Sequence, residues 1–156
     1  MISLEIPGIG EMKLHSLVLD YNGTIAFDGK IEEGVLEQLN LLAKKLKVYV
    51  ITADTFGQAI TECKGLMGDV VILQNPLGAQ EKEDFVTSLG AEQVVALGNG
   101  VNDCLMLQKV ALGIAVIGGE GASVKAIQAA DIVVKDIQQA LGLLLHTKRL
   151  KATLRG

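Results

Sequence analysis

The sequence predicts an α/β protein built on a doubly wound parallel sheet. Short apolar runs alternate along the chain with longer segments whose apolar residues recur at helical spacing. The apolar residues are mostly Val, Ile, Leu and Ala, with only 3% aromatics, which is the usual filling of a sheet covered by helices. Eighteen glycines against two prolines indicate many tight turns between the elements.

The bulk properties limit the classes of function that the chain can have. Its 156 residues fit one domain over 1–156. A net charge of −4 disfavours binding to nucleic acid or to an anionic membrane. Cys63 and Cys104 have neither disulfide-framework nor metal-site spacing, so we expect two reduced core thiols. No apolar run approaches the ~20 residues that span a bilayer, and we therefore expect a soluble, cytoplasmic protein.

The first elements are predicted to form a small N-terminal hairpin that leads into the central strand. Residues 2–6 and 12–20 lie on either side of a Pro-Gly-Ile-Gly turn. The first arm is expected to be an edge, and the second arm is expected to continue into the apolar run Leu17-Val18-Leu19. This run ends in Asp20, and a buried strand that ends in a carboxylate is typical of a ligand site at the edge of a parallel sheet.

Beyond the central strand, a flap hairpin is followed by strands and helices in turn. Asp28-Gly29, between residues 25–27 and 30–31, is a strong two-residue turn signal and predicts a flap over the end of the central strand. Further strands are predicted at residues 48–51, 70–73, 94–97, 113–116 and 132–134. Helices are predicted at residues 32–45, in the segment that ends near Cys63, at 82–89, from Asn102, and at 122–129 and 137–154.

Polar residues follow three of these strands at the point where each strand ends. They are Asp20, Asn22 and Thr24 after the first core strand, Thr52 and Asp54 after the second, and Asn99, Asn102 and Asp103 after the fourth. Because the carboxyl ends of parallel strands meet at one edge, these side chains are expected to line one crevice. Lys82, near a predicted helix start, adds a cation. Phosphoryl transfer through an aspartyl-phosphate requires this set of groups.

Each of these residues also has a plain structural interpretation. Asp-x-Asn-Gly at residues 20–23 is ordinary turn chemistry, and Asp54 and Asn102 are residue types that cap helices. Lys82 taken alone is typical of a helix surface. The two histidines are isolated in the sequence, which favours packing or surface roles, and the basic residues near the C-terminus favour a solvated helix face.

Taken together, the motifs resemble those of the haloacid dehalogenase-like superfamily. Residues 20–24, Asp-Tyr-Asn-Gly-Thr, resemble its first motif, and residues 50–54, Val-Ile-Thr-Ala-Asp, resemble its second motif in the form used by P-type ATPases. Lys82 is similar to the third motif, and residues 98–103, Gly-Asn-Gly-Val-Asn-Asp, resemble the fourth motif of those ATPases. The resemblance extends from residue 17 to about residue 135, with all four motifs in order.

The resemblance implies a magnesium-dependent phosphatase or phosphotransferase that forms an aspartyl-phosphate on Asp20. It gives catalytic roles to Asp20, Asn22, Thr52 and Lys82. Phosphate binding is implied for Asp20, Gly23, Thr52, Ala53, Lys82 and Asn102, and Mg²⁺ binding for Asp20, Asn99, Asp103 and the backbone carbonyl of Asn22. The short intervals between motifs leave no room for a cap or a nucleotide-binding domain. The chain therefore resembles a capless, soluble phosphorylation domain and not a pump.

Two positions depart from the pattern of the superfamily. Asn22 stands where phosphatases usually carry an Asp that acts as general acid and base, and an amide cannot exchange a proton near neutral pH. Asn99 stands where an Asp usually binds magnesium, so one negative charge is missing. We therefore expect low turnover, on a phosphorylated small molecule or a phosphoprotein. Because no cap closes the crevice, we also expect that another subunit of a homo-oligomer can provide the selectivity that a cap would give. The alternative is a phosphate- or metal-binding regulatory domain that has lost efficient hydrolysis.

Overall fold

The computed structural model of the protein describes residues 1–54 and 57–156. The strands of this part of the chain are β1 (Ile2–Ile6), β2 (Gly10–Leu14), β3 (Ser16–Asp20), β4 (Ala26–Phe27), β5 (Lys30–Ile31), β6 (Lys47–Thr52), β7 (Asp69–Ile72), β8 (Val94–Gly98), β9 (Leu112–Val116) and β10 (Ile132–Val134). Its α-helices are α1 (Val35–Leu42), α2 (Gln58–Glu62), α3 (Ala79–Ser88), α4 (Cys104–Lys109), α5 (Val124–Ala129), α6 (Ile137–Leu145) and α7 (Thr147–Leu154).

Six parallel strands form the main sheet, in the order β10-β9-β8-β3-β6-β7. The order reverses at β3: the chain first adds β6 and β7 on one side of β3 and then crosses over to add β8, β9 and β10 on the other side. This arrangement confirms the predicted doubly wound parallel sheet and the central place of β3. In such a sheet, ligands bind beyond the carboxyl ends of the strands at the point of reversal, which places Asp20 at the expected position.

The middle of strand β3, Leu17-Val18-Leu19, is apolar because both faces of the strand are covered. Leu17 and Leu19 pack in one apolar cluster with residues of α1 and α6, while Val18 packs in a second cluster with residues of α3 and α4. All five residues of β3 are buried. Truncating a fully buried leucine typically costs about 2–5 kcal/mol, so these two layers fix the position of the strand and of the carboxylate at its end.

The N-terminal hairpin forms as predicted but does not extend the main sheet. Strands β1 and β2 pair antiparallel in a separate two-stranded sheet, so the expectation that β1 is an edge followed by one continuous arm is wrong in detail. The arm breaks at His15, whose backbone N–H donates to the carbonyl of Gln93 and whose carbonyl accepts from Lys47. These bonds anchor the chain to the main sheet, and β3 begins at the next residue.

Two other expectations need correction. The predicted helix at residues 137–154 is divided into α6 and α7 at His146, whose φ of −121° and ψ of 71° are not helical. The break turns α7 back so that Leu150 is fully buried in the apolar cluster that includes β1. Cys104 is only partly buried, whereas Cys63 is buried; both are free thiols. None of the helices in the described ranges combines the length and the hydrophobicity that crossing a membrane requires.

Candidate active site

A buried cluster of two carboxylates and one ammonium lies at the carboxyl end of β3. Lys82 Nζ is 2.7 Å from Asp20 Oδ1 and 2.7 Å from Asp103 Oδ1. Lys82 is 2% exposed, Asp20 is 7% exposed and Asp103 is fully buried. The structure therefore brings together residues from three of the four predicted motifs, and Lys82 is not a helix-surface lysine.

The loop before α3 delivers Lys82 to this cluster. Glu81 accepts hydrogen bonds from the backbone N–H groups of Gln74 and Asn75 and so folds the loop back onto the first turn of the helix. Gly78 precedes the helix with a φ of +64°, and a Cβ there would lie 2.9 Å from a methyl carbon of Leu73. Because helical side chains point toward the N-terminus of their helix, Lys82 in the first turn reaches the end of the sheet.

Asp103 is held by the glycine-rich loop that precedes it. Its Oδ2 accepts from the backbone N–H groups of Asn99 and Gly100, both at 2.9 Å, while its Oδ1 accepts from Lys82. A Cβ on Gly98 would lie 2.5 Å from the Asp103 carboxyl carbon, so glycine is needed at the end of β8. Asp103 therefore has a fixed orientation toward Lys82.

Thr24 lines the crevice as predicted, although the sequence analysis gave it no catalytic, phosphate-binding or metal-binding role. Its hydroxyl lies 3.1 Å from Asp20 Oδ2 and 3.2 Å from Asn99 Oδ1. The close approach depends on Gly23, which has a φ of +78° and whose added Cβ would lie 2.3 Å from Asn99 Nδ2. The sequence signal was a small hydroxyl residue directly after the glycine turn, which indicates a hydrogen bond back to the strand end.

The second strand end places Thr52 and Asp54 in different roles. Thr52 is buried, and its hydroxyl accepts from the Asp54 backbone N–H, which leaves the hydroxyl proton free to donate elsewhere. The Asp54 carboxylate accepts from the backbone N–H groups of Ala59 and Ile60 at the start of α2. The capping interpretation is therefore correct for Asp54. Ala53 lies between them and is partly exposed.

The side chains of Asn22 and Asn102 are exposed, unlike those of the buried cluster. The backbone N–H of Gly23, next to Asn22, donates to the carbonyl of Ala26 at 2.9 Å. Asn102 lies in a 3₁₀ turn directly before Asp103. Both residues are adjacent in sequence to the cluster, and they present amides at its solvent side and not inside it.

The predicted flap is present over this end of the sheet. Strands β4 and β5 pair antiparallel, and Asp28 and Gly29 both have positive φ, 50° and 79°, as the two-residue turn requires. The Tyr21 hydroxyl donates to the Gly29 carbonyl at 2.6 Å. The flap also contacts the loop that follows β9: the Asp28 backbone N–H donates to Glu120 Oε2 at 3.3 Å.

The electrostatics of the cluster are unbalanced because two carboxylates share one ammonium. Burial and the neighbouring Asp103 raise the pKa of Asp20 to about 7, against the opposing effect of Lys82. Burial lowers the pKa of Lys82, but the two carboxylates together outweigh it and raise that pKa above its usual value. When all three groups are charged, the cluster therefore favours a further positive charge beside Asp20.

The oxygen atoms at this strand end fit a hard divalent cation, although one of the candidate ligands, Asn99, is an uncharged amide. Within the described residues no three His, Cys, Asp or Glu side chains are arranged as a metal cluster. However, Asp20 Oδ2 and Asn99 Oδ1 both face Thr24, whose single hydroxyl proton can serve only one of them at a time. Two oxygens therefore converge with unused acceptor capacity, and carboxylate and amide oxygens are the ligands that Mg²⁺ prefers.

The chain is similar in sequence to three archaeal proteins. The uncharacterized protein MJ0073 of Methanocaldococcus jannaschii is 58% identical over 64 residues, which span 41% of this chain and 69% of that protein. MJ0072 of the same organism is 54% identical over 39 residues, or 25% of this chain and 89% of that protein. A "Probable copper-exporting P-type ATPase" of Archaeoglobus fulgidus is 34% identical over 132 residues, or 80% of this chain but only 16% of the ATPase. No protein-family model matches the chain.

Several solved structures have the same fold, and three of them are named as hydrolases or phosphatases. A Legionella pneumophila protein described as a HAD superfamily (subfamily III A) hydrolase has a TM-score of 0.73 at 17% identity, covering 90% of this chain and 87% of that chain. The cobalt-bound deoxy-D-mannose-octulosonate 8-phosphate phosphatase of Haemophilus influenzae has a TM-score of 0.73 at 14% identity, covering 92% and 94%. A Moraxella catarrhalis phosphatase in complex with magnesium, phosphate and KDO has a TM-score of 0.63 at 16% identity, covering 91% and 94%.

Proposed function

Because this chain belongs to one family with MJ0073 and MJ0072 and has the haloacid dehalogenase-like fold, we propose that it is a divalent-cation-dependent phosphatase or phosphotransferase. The observation that carries the proposal is the Lys82 bridge between Asp20 and Asp103. Burying three ionised groups costs several kcal/mol per ion before pairing offsets it, and an apolar trio would stabilise a sheet edge equally well. A buried ionic cluster with a raised pKa at a strand end is typical of a catalytic site.

In the proposed reaction, one carboxylate oxygen of Asp20 attacks phosphorus, and the bond between phosphorus and the leaving-group oxygen breaks. The products are an acyl phosphate on Asp20 and a leaving group that takes its proton from solvent. Water then attacks the phosphorus of the acyl phosphate, which releases inorganic phosphate and restores the carboxylate. Lys82 and Thr24 orient the Asp20 carboxylate through the hydrogen bonds they donate to it, and the free Thr52 proton is available to a phosphate oxygen.

Mg²⁺ would be held by Asp20, Asn99, Asp103 and the backbone carbonyl of Asn22, and when bound it would offset the negative charge of the phosphate. The names of the fold neighbours support a divalent cation, since one is a cobalt-bound form and another is a magnesium complex. Asn99 contributes no charge, so we infer weaker metal binding than a third carboxylate would give. Gly23, Ala53 and Asn102 complete the proposed phosphate seat.

The proposed substrate is a phosphate compound whose leaving group needs no protonation. Asn22 is exposed beside the cluster and cannot donate a proton as a carboxylic acid would. Acyl and aryl phosphates release weakly basic anions, whereas alkyl esters such as sugar phosphates release strongly basic ones. We therefore infer low turnover on alkyl esters and measurable turnover on acyl or aryl phosphates.

Three exposed apolar side chains support a partner at this edge of the sheet. Leu77, Val101 and Val124 are 77%, 58% and 66% exposed, and each lies on a loop or helix start that follows a strand of the main sheet. Removing such side chains from water favours association. We propose that a second copy of the chain covers them, so that light scattering should give a mass above that of the monomer.

The alternative function is a phosphate- or metal-binding regulatory domain without turnover. It is favoured by the amides at Asn22 and Asn99, which remove a proton carrier and a charge. The two functions differ in whether Asp20 forms a covalent intermediate. Incubation with acetyl phosphate and Mg²⁺, followed by acid quench and mass spectrometry, should give an adduct of one phosphate in the wild type and none in Asp20→Asn. The matched control is Asp84→Asn, an exposed aspartate on α3. Absence of the adduct in wild type, together with no phosphate release, would replace the enzyme by the binding domain.

A further inference from the structure

A second cleft lies at the opposite edge of the main sheet from the candidate active site. Its volume is about 570 Å³, and it is lined by residues at the amino ends of β3 and β6 and at the carboxyl ends of α1 and α3. Ser16 at this edge and Asp20 at the other are four residues apart on β3, which corresponds to about 13 Å along a strand. The cleft is therefore distinct from the proposed phosphate seat.

The charged side chains that line this cleft are all basic. They are Lys44, Lys45 and Lys47, and no Asp or Glu lines it. All three lysines are exposed, and in the described ranges none of them is in a salt bridge. A neighbouring hollow that shares Lys47 and Tyr49 with the cleft is lined by one acidic residue, Asp69. In a chain with a net charge of −4, this is a local concentration of positive charge.

Lysines at the carboxyl end of a helix often serve only to neutralise the helix dipole, but here that role neutralises only part of the positive charge. The carboxyl end of a helix carries the equivalent of roughly half a negative charge, which nearby lysines complement. Two such ends, those of α1 and α3, amount to roughly one negative charge facing three positive ones. The cleft therefore keeps an excess of about two positive charges, which a bound anion would neutralise.

Two further groups at the cleft are placed to contact a ligand. Ser16 is a buried residue, but its hydroxyl is not a buried atom without a partner: it forms no hydrogen bond with another described residue and is open to the cleft, where it can donate to a ligand. The Tyr49 ring also lines the cleft and is fixed by an edge-to-face contact with Phe85, with the ring centroids 5.3 Å apart.

We propose that this cleft binds a small anion that carries several negative charges, of the di- or triphosphate class. The volume falls within the range of about 300–1,000 Å³ for small-molecule sites. The three lysines would bind the phosphate groups, and the Ser16 hydroxyl would donate to one phosphate oxygen. A concave cleft on an acidic protein favours a small anion over a nucleic acid, whose backbone binds extended basic surfaces. The proposal does not depend on the phosphatase activity.

The test is calorimetric titration of the full chain with sodium tripolyphosphate in the presence of EDTA, at 50 and 200 mM KCl. We expect one site whose affinity falls at the higher salt, because exposed charges are screened. Replacing the three lysines together, Lys44→Gln, Lys45→Gln and Lys47→Gln, should weaken binding by about ten- to a hundredfold. Ser16→Ala should weaken it by about three- to tenfold. The matched control is the triple Lys109→Gln, Lys148→Gln and Lys151→Gln, whose lysines are also exposed.

Several outcomes would overturn the proposal. The wild type would fail to bind tripolyphosphate, or the two triple variants would lose the same affinity for it. Alternatively, Asp20→Asn would lose affinity while the cleft variants kept it, which would place the anion in the active site. Binding of single-stranded RNA that tripolyphosphate does not displace would assign the lysines to nucleic acid. Because Ser16→Ala lies in the central strand, amide shifts of Lys47 and Tyr49 on titration of the wild type by NMR provide a readout that needs no variant.

Discussion

The two ends of strand β3 carry charge in opposite ways. At the carboxyl end, Asp20, Lys82 and Asp103 are buried, and each contacts an opposite charge at 2.7 Å. At the amino end, three lysines are exposed and, within the described residues, have no acidic partner. The first arrangement is fixed before any ligand arrives, which suits a reaction that needs precise orientation. The second can adapt its side chains to a ligand, which suits binding.

This difference predicts how strongly each end responds to substitution. A buried charge that loses its partner is left uncompensated in a medium of low polarity. An exposed charge that is removed leaves its neighbours hydrated, and the free energy of unfolding changes by no more than about 0.5 kcal/mol.

The largest effect is expected from Asn22→Asp, which restores a proton carrier beside the buried cluster. General acid–base assistance is worth about 10²–10⁴-fold, and with an aryl phosphate it should appear mainly in breakdown of the acyl phosphate. Phosphate release from an alkyl phosphate should gain more, because the restored acid also protonates the strongly basic leaving group when the acyl phosphate forms. An unchanged rate with both esters would show that proton transfer does not limit turnover.

Lys82→Met should lower the free energy of unfolding by about 3–5 kcal/mol at pH 7 in EDTA, because Asp20 and Asp103 then face each other without a cation. Lys45→Gln at the other end of the sheet is the control and should change it by no more than about 0.5 kcal/mol. Urea denaturation followed by circular dichroism measures both. Similar losses in the two variants would remove the contrast between the ends.

The apo protein should lose stability as the pH rises from about 4 to about 7. The pKa of Asp20 is raised from 3.8 in the unfolded chain to about 7 in the folded chain. Between these values the folded state holds more protons than the unfolded state, so stability falls with pH and levels off above about 7. The contribution is roughly 2–4 kcal/mol. Asp20→Asn should flatten this part of the curve in urea titrations made in EDTA, while Asp84→Asn should leave it unchanged.

Asn99→Asp should tighten Mg²⁺ binding by about tenfold and destabilise the metal-free protein by about 1–2 kcal/mol. The new carboxylate adds a charge near Asp20, but it also replaces the amide N–H₂ that donates to the Gly121 carbonyl at 3.1 Å. Thermal unfolding with and without Mg²⁺ separates the two effects, since the metal should stabilise the variant more than the wild type. A variant with the Mg²⁺ affinity of the wild type would argue against Asn99 as a ligand position.

The sequence was sufficient to predict the centre of the molecule and the carboxyl end of its sheet. The apolar run Leu17-Val18-Leu19 predicted a buried strand that ends in Asp20, and the resemblance to the haloacid dehalogenase-like motifs indicated Lys82 and Asp103. These predictions succeeded because burial on both faces and strand-end chemistry are local properties of the chain.

Other features depend on contacts that no local pattern encodes. The division between α6 and α7 at His146 follows from where Leu150 must pack, and residues 137–154 alone have a continuous helical pattern. Thr24 and Asn99 were both expected in the crevice, but the hydrogen bond between them joins residues 75 positions apart in the chain and was not predicted. The basic cleft likewise joins lysines after α1 to Ser16 and to the end of α3. In sequence, those lysines are ordinary residues at a helix end.

The hydrogen bonds of the two strand-end glycines have a consequence for how the protein ages. Asn22 and Asn99 each precede a glycine, the context in which asparagine most readily cyclises to a succinimide and then becomes aspartate or isoaspartate. Cyclisation requires the next backbone nitrogen to attack the side-chain amide, and here the Gly23 nitrogen donates to Ala26 and the Gly100 nitrogen donates to Asp103. The folded chain thus holds both nitrogens away from that reaction. The rate at which isoaspartate accumulates at residue 22 or 99 in a stored sample would therefore measure how often these loops open. At position 22, the aspartate that forms alongside it would supply the proton carrier that the native chain lacks.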